Sequence, residues 1–383
     1  MQINIYYVHD LIDRIGELVG EMWRIKNLFN NTQYKINVIT SPLYKCPRVN
    51  KSAFNIAMRD VNVIFTSDFN SVERSQIENS LPALVKEKNN IVVILTKGLP
   101  VKSFYKKYFQ EKPEFYFSLT EVDLKRGSQI RRAFNIPEKA PIITLHVRES
   151  GYLPCLDYHS YRDASINNFM PTVKFLIENG FYVIRLGDKS MKKIINAPPQ
   201  FIDAPFHSQY TDFVDIYFIS QSTFYLGCPS GPFCIAMAFD VPILSTNTII
   251  LSVAGWHSGI IKMYKKYYSN KLNRFLSYEE ILSSPLLHYA RTENYQKAGV
   301  ELIENTPEEI LAATKEILER LNGNYFNKEE KHINLRIKDI HKRILYLHKR
   351  NKNEQDHILI STDQISTEFI KLNPNFLGHD WSI

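Results

Sequence analysis

Along most of the 383 residues, short runs of β-branched and aromatic residues alternate with longer stretches of helical periodicity. Ile3–Val8, Lys35–Thr40, Val61–Thr66 and Ile91–Thr96 read as strands buried on both faces, with helices between them at Gly16–Phe29 and Ser71–Lys86. A strand with no polar face needs cover on both sides. A βαβα order supplies that cover with helices, so a parallel, doubly wound sheet is expected. The second half repeats the pattern, with strands at Ile142–Val147, Phe181–Leu186, Gln200–Asp203, Thr223–Leu226 and Val241–Ser245. Helices are expected at Ser165–Glu178, where Ile166, Phe169, Met170, Val173 and Ile177 share a face, at Gly231–Phe239 and at Pro307–Asn322. Lys125–Pro141, a short amphipathic turn closing on two prolines, reads as a connection between two domains.

Composition narrows the class. A hydrophobic fraction of 44% and an aromatic fraction of 13% suffice for packed cores and argue against wholesale disorder. Cys46, Cys155, Cys228 and Cys234 have neither Cys-x-x-Cys nor metal-ligand spacing, so no disulfide framework or structural zinc is expected, and a reducing compartment is. The N-terminus lacks a basic leader and reads as a first strand, not a signal peptide. Residues 216–239 carry no formal charge, a length that suggests a membrane span. Gln221, Ser222, Gly227, Pro229, Ser230, Gly231 and Pro232 interrupt them, as helix, strand, turn and helix would.

The net charge of +7 is concentrated: between Lys328 and Lys352 nine Lys and Arg stand against three Asp and Glu. The remainder is close to neutral, so nucleic-acid binding is not indicated. Within that segment Ile333, Ile337, Ile340, Ile344 and Leu347 form the stripe of an amphipathic helix with basic residues opposite. The stripe either packs back onto a domain or lies on anionic lipid. Phe376, Leu377 and Trp381 in the following tail are expected to dock on the protein.

Candidate chemistry sits where strands end, because ligands of open α/β sheets bind outside the carboxyl ends of strands. His146 and Arg148 leave the same face at the end of one strand, and Arg148 is suited to pair bidentately with a diphosphate and stabilise a departing nucleotide. An ion pair of Arg148 with Glu149 or Asp157, and a backbone bond for His146, is the structural alternative. Ser230-Gly231-Pro232 after another apolar strand is either a phosphate-binding helix start or an ordinary capped turn. Arg162 and Asp163 lie in a dense polar loop, from which Arg162 is expected to reach the ligand and Asp163 to cap a helix or join it. Arg185 and Gly187 add a cation and a glycine to a further strand end, or simply face solvent.

In the first half, Asp13-Arg-Ile-Gly-Glu17 opens a helix without a dinucleotide fingerprint. Glu17, or Asp13, is a candidate base for an acceptor hydroxyl at an interdomain cleft; Glu17 otherwise complements the helix dipole. No Asp-x-Asp pair stands at a convincing strand end and no nucleophilic triad is in order, so fixed cations and dipoles are expected to drive the chemistry, with no metal and no cofactor.

Leu145-His-Val-Arg148, Tyr161-Arg-Asp163, Tyr182-Val-Ile-Arg-Leu-Gly-Asp188, Phe224-Tyr-Leu-Gly-Cys-Pro-Ser-Gly231 and Phe239-Asp-Val-Pro-Ile243 together resemble a bacterial family of GT-B glycosyltransferases. The resemblance runs from about residue 120 to 285 and includes Ile261-Lys-Met-Tyr-Lys-Lys-Tyr267 and Leu276-Ser-Tyr-Glu-Glu-Ile-Leu282; Arg14-Ile-Gly16 is similar to that family's first-domain turn. It implies an α/β chain of two Rossmann-like doubly wound domains facing a cleft, an acceptor-side domain over 1–135 and a donor-side domain over 136–325, followed by a basic amphipathic helix and tail over 326–383. The His-x-Arg strand is also similar to that of GDP-fucose-using transferases, where arginine contacts the diphosphate. The turn around Glu17 is similar to the acidic turn of heptosyltransferases.

The expected function is therefore sugar transfer from a nucleotide-sugar donor to a glycan or lipid-linked glycoconjugate in envelope polysaccharide synthesis. It would be metal-independent and cytoplasmic, with peripheral membrane contact through 328–352. Donor binding is assigned to His146, Arg148, Arg162, Arg185, Gly187, Ser230, Gly231 and Pro232, and catalysis to Glu17, Asp13 and Arg148. A nucleotide-sugar epimerase on the same scaffold and a non-catalytic nucleotide-sugar-binding assembly protein are the alternatives.

Overall fold

The computed structural model describes residues 2–9, 11–67, 83–87, 90–95, 103–104, 107–108, 112–150, 154–250, 259–350 and 364–378. They form two compact units. The first comprises Met1–Asn135, Gln209–Gln221 and Ser230–Val241; the second Ile136–Ser208, Ser222–Pro229 and Pro242–Ile383.

The first unit is built on a five-stranded sheet of β1 (Ile3–Val8), β2 (Tyr34–Thr40), β3 (Asn62–Phe65), β4 (Ala83–Glu87) and β5 (Asn90–Leu95), in the order β3-β2-β1-β5-β4. β1 pairs in parallel with β2 and β5, so the winding reverses at β1. The Ile15–Leu28 helix buries Leu18, Met22, Trp23 and Ile25 in the core of this unit, where Ile5, Tyr7 and Val38 are also buried.

Three expectations need correction here. Val61–Thr66 is an edge strand rather than one buried on both faces, with Ile64 36% and Phe65 49% exposed. Ala83–Lys86, expected as the end of a helix, belongs to β4 and pairs antiparallel with β5; the rest of that expected helix, Ser71–Pro82, lies outside the described residues. Most of the expected connection Lys125–Pro141 is the C-terminal part of a helix, Glu121–Ala133. Thr120 and Asp123 start it with reciprocal capping bonds that satisfy two otherwise unpaired N–H groups.

The second unit carries a seven-stranded sheet of β6 (Ile142–His146), β7 (Tyr182–Arg185), β8 (Phe201–Asp203), β9 (Phe224–Gly227), β10 (Ile243–Thr248), β11 (Ile260–Tyr264) and β15 (Gln364–Ile365), in the order β15-β11-β10-β9-β6-β7-β8. Every pairing in it is parallel. Its strands are apolar because both faces are covered: Ile143, Leu145, Val183, Phe224, Leu226 and Leu244 are all buried. A small antiparallel sheet adds β12 (Lys266–Ser269), β13 (Arg274–Phe275) and β14 (Val300–Ile303), in the order β13-β12-β14.

The basic segment forms one helix, Glu330–Arg350, whose Ile333, Ile337, Ile340 and Ile344 are buried in the core of the second unit. The isoleucine stripe thus packs onto a domain. Beyond it, β15 extends the sheet edge at β11, and Phe376 and Leu377 bury against the same core. Trp381 lies outside the described residues.

Candidate functional site

The seven-stranded sheet reverses its winding between β6 and β9. Chain order runs outward from β6 through β7 to β8 on one side, and from β9 through β10 to β11 on the other. Such a reversal opens a crevice at the strands' carboxyl ends. His146 ends β6 and Gly227 ends β9, and the two are register partners. Gly227 has φ of +155°, and a Cβ there would fall 2.0 Å from the His146 carbonyl oxygen. Only glycine lets the chain turn this tightly, and the Cys228 N–H then donates to the same carbonyl at 3.0 Å.

Around that turn sits a charge cluster that is half-buried, with Lys265 buried outright. Arg148, two residues past β6, pairs through Nε with Asp163 at 3.3 Å. Arg162 Nη2 donates to the Pro229 carbonyl at 2.6 Å, which fixes a second guanidinium close enough to repel the first. Lys265, only 3% exposed, donates from Nζ to the Asp163 carbonyl at 2.5 Å. Three cations therefore face two carboxylates, Asp163 and Glu304. Glu304 is already held by the Ser165 N–H and the Asn168 amide. Burial pulls Arg148 and Lys265 below their ordinary pKa and pushes Asp163 above its own, so desolvation acts against the charged form of each of these three. A further anion would relieve that cost.

His146 contributes differently from what an anion site suggests. Burial, with the charges of Arg148 and Arg185, holds its pKa down at about 4 despite the Leu186 carbonyl, so the ring is neutral at physiological pH. Nδ1 lies 3.1 Å from that carbonyl oxygen, to which a neutral ring donates. Nε2 is then an acceptor, suited to a hydroxyl and not to a phosphate.

Arg185 is fully buried. Its guanidinium is engaged by Glu149 at 2.8 Å, Asp203 at 3.1 Å and the Lys192 carbonyl at 2.8 Å. It ties three chain segments together and has no exposed surface for a ligand to touch, which corrects the expectation of a direct ligand contact or a solvated strand end. Glu149, expected as a partner for Arg148, is used here instead. Gly187 follows β7 with Met191 packed against it. Lys265 is the residue that reading the sequence missed. It stands one position past β11, among other lysines, and nothing in its local pattern distinguishes it from a solvated side chain.

The remaining candidates belong to the first unit. The Gly231–Ala238 helix packs on the Ile15–Leu28 helix, and their first turns cross at two glycines. A Cβ on Gly16 would lie 2.9 Å from Gly231 Cα, and one on Gly231 would lie 2.4 Å from Ile15 Cγ2. Neither helix start has a side-chain cap: Arg14 and Ser230 are the N-cap residues, and neither side chain bonds to the turn. Elsewhere in the chain Thr120, Ser277 and Thr306 close their helices with full capping boxes. Two uncapped N-termini meeting at glycines, the second with Pro232 in its first turn, concentrate N–H groups and positive dipole ends. Asp13 is tied to Arg48 at 2.7 Å. Glu17, half-buried in the first turn of the Ile15–Leu28 helix, has no hydrogen-bond or ion-pair partner among the described residues.

No family model matches the sequence, and no curated protein matches it. Solved structures do match in fold. The chain is similar to the glycosyl transferase family 9 protein from Veillonella parvula DSM 2008, with a TM-score of 0.51 at 8% identity over 83% of this chain and 97% of that one. It also matches E. coli ADP-heptose LPS heptosyltransferase II, with a TM-score of 0.39 at 12% identity over 84% and 98% of the two chains. At such identities the likeness is one of fold, and the first of the two carries it. The chain has the GT-B architecture of two Rossmann-like doubly wound units, with a helical C-terminal segment.

Proposed function

We propose that this protein is a glycosyltransferase that moves a sugar from a nucleotide-sugar donor to a glycan or lipid-linked glycoconjugate of the cell envelope. The observation that supports it best is the cluster of Arg148, Arg162 and Lys265 at the winding reversal of the second unit, where partly desolvated positive charge exceeds negative. A donor diphosphate supplies the missing anion. Arg148 and Arg162 then neutralise the charge that develops on the leaving nucleotide, the part a divalent cation plays in other transferases, so no metal or cofactor is invoked. His146 Nε2 accepts from a donor hydroxyl. The Ser230–Pro232 helix start is proposed separately as an anion-binding element of the first unit. Of the two candidate bases, Glu17 is favoured over Asp13, whose carboxylate is already paired with Arg48.

The test is release of nucleoside diphosphate from a panel of nucleotide sugars, with and without envelope glycan acceptor. Acceptor-dependent release, unchanged by EDTA and reduced by on the order of a hundredfold or more in Arg148→Ala, is expected. Turnover of the donor without acceptor would make the protein an epimerase. Tight binding without turnover would make it a binding protein.

A further inference from the structure

The Glu330–Arg350 helix presents two faces, and the fold uses one. The stripe Ile333, Ile337, Ile340, Ile344 is buried in the second unit. Lys331, Leu335, Lys338, Lys342 and Tyr346 recur at spacing 4-3-4-4 on the opposite side and are all exposed. Leu335 is 56% and Tyr346 64% exposed. These are large apolar groups that packing has left in water, interleaved with lysines on one strip.

The nearby acids do not neutralise those lysines. Asp339 is bound by Arg343 at 2.9 Å, and Glu279 takes Arg343 at 2.8 Å and Arg336 at 3.8 Å. Lys331, Lys338 and Lys342 have no ion-pair partner among the described residues. Because the helix's own apolar stripe is already satisfied, the outer strip is not needed to hold the fold.

We infer that this outer strip is a docking surface for an anionic lipid bilayer, on which the lysines meet headgroups while Leu335 and Tyr346 enter the interface. Charge complementarity supports a lipid surface, and the exposed apolar side chains favour it over a nucleic acid, which offers lysine-paired phosphates but no apolar layer at that depth. The inference does not rest on the transferase reading, since it concerns other residues and needs no turnover.

Co-sedimentation of the full chain with vesicles of phosphatidylcholine alone, or of phosphatidylcholine with phosphatidylglycerol, tests it. Wild type is expected to pellet only with the anionic vesicles and to be released as salt is raised. Reversing the three lysines (Lys331→Glu, Lys338→Glu, Lys342→Glu) should weaken partition by about a hundredfold or more, from the usual contribution of each cation near such a surface. Leu335→Ser with Tyr346→Ser should also weaken it, at unchanged charge, which a purely ionic contact would not. All five positions are exposed, so circular dichroism should report unaltered folding. Equal pelleting on both vesicle types, no pelleting on either, an unaffected lysine variant, or retention on heparin without retention on vesicles would each overturn the inference.

Discussion

Lys265, buried, and Arg148, half-buried, illustrate two ways for a partly desolvated cation to matter. Removing one partner of a buried pair leaves the other charge uncompensated, whereas removing an excess charge relieves the group. Lys265 belongs to the excess: Asp163 keeps Arg148, and among the described residues Lys265 bonds to the Asp163 backbone oxygen and not to its carboxylate. Lys265→Met is therefore expected to leave thermal stability equal or raised while weakening nucleotide affinity tenfold or more, by calorimetric titration. Unchanged affinity would remove Lys265 from the site. Gly16 makes a contrasting case, because its neighbour at 2.9 Å is backbone that cannot swing aside. Gly16→Ala should cost about 1–3 kcal/mol, as overpacking does, and read out as a lowered denaturation midpoint. A midpoint equal to wild type would mean that the two helix starts lie further apart.

Elements were legible in the sequence where one periodicity held over enough residues. β6, β7 and β9 are mostly β-branched, aliphatic and aromatic up to the polar or glycine residue that ends each, and the Ile333–Ile344 stripe specified a helix and its buried face together. What escaped was short or locally contradictory. Ala83-Leu-Val-Lys-Glu87 has the composition of a helix, and only pairing with β5 makes it a strand. β11 carries Lys262, 5% exposed within a covered strand, so its pattern reads as mixed. β12, β13 and β14 span few residues each and depend on one another for existence. At the site, Arg148 and Arg162 were readable because strand ends and polar loops are visible in sequence, while Lys265 and the fate of Arg185 depended on which strands become neighbours. The C-terminal helix also carries a pH prediction. Burial lowers the pKa of His341 to about 4 from 6.5, and Tyr278 bonds its Nε2 at 3.1 Å. With the folded value depressed, its contribution to stability is complete above about pH 6.5 and is lost as pH falls towards 4. His341→Phe should flatten that part of the stability profile in denaturant titrations; an unaltered slope would place the sensitivity elsewhere, His146 being the next group with the same shift.

For the whole molecule, the fold carries no particular substrate, because one architecture serves many chemistries. The proposed function rests instead on the charge imbalance in the second unit and on the Glu17 carboxylate in the first, which has no hydrogen-bond or ion-pair partner among the described residues. Among the described residues no helix is long and apolar enough to cross a membrane. Residues 216–239, uncharged as they are, divide into the end of the Asp212–Ser220 helix, β9 and the Gly231–Ala238 helix. The most direct test of the central claim is the melting temperature of wild type and Arg148→Ala against UDP, GDP, ADP, CMP and dTDP. One nucleoside diphosphate is expected to raise it in wild type, by an amount equivalent to about 2.7 kcal/mol at a hundredfold excess over Kd, and to leave Arg148→Ala unmoved. No shift with any nucleotide, or an equal shift in both proteins, would contradict the assignment of the Arg148 cluster as a diphosphate site.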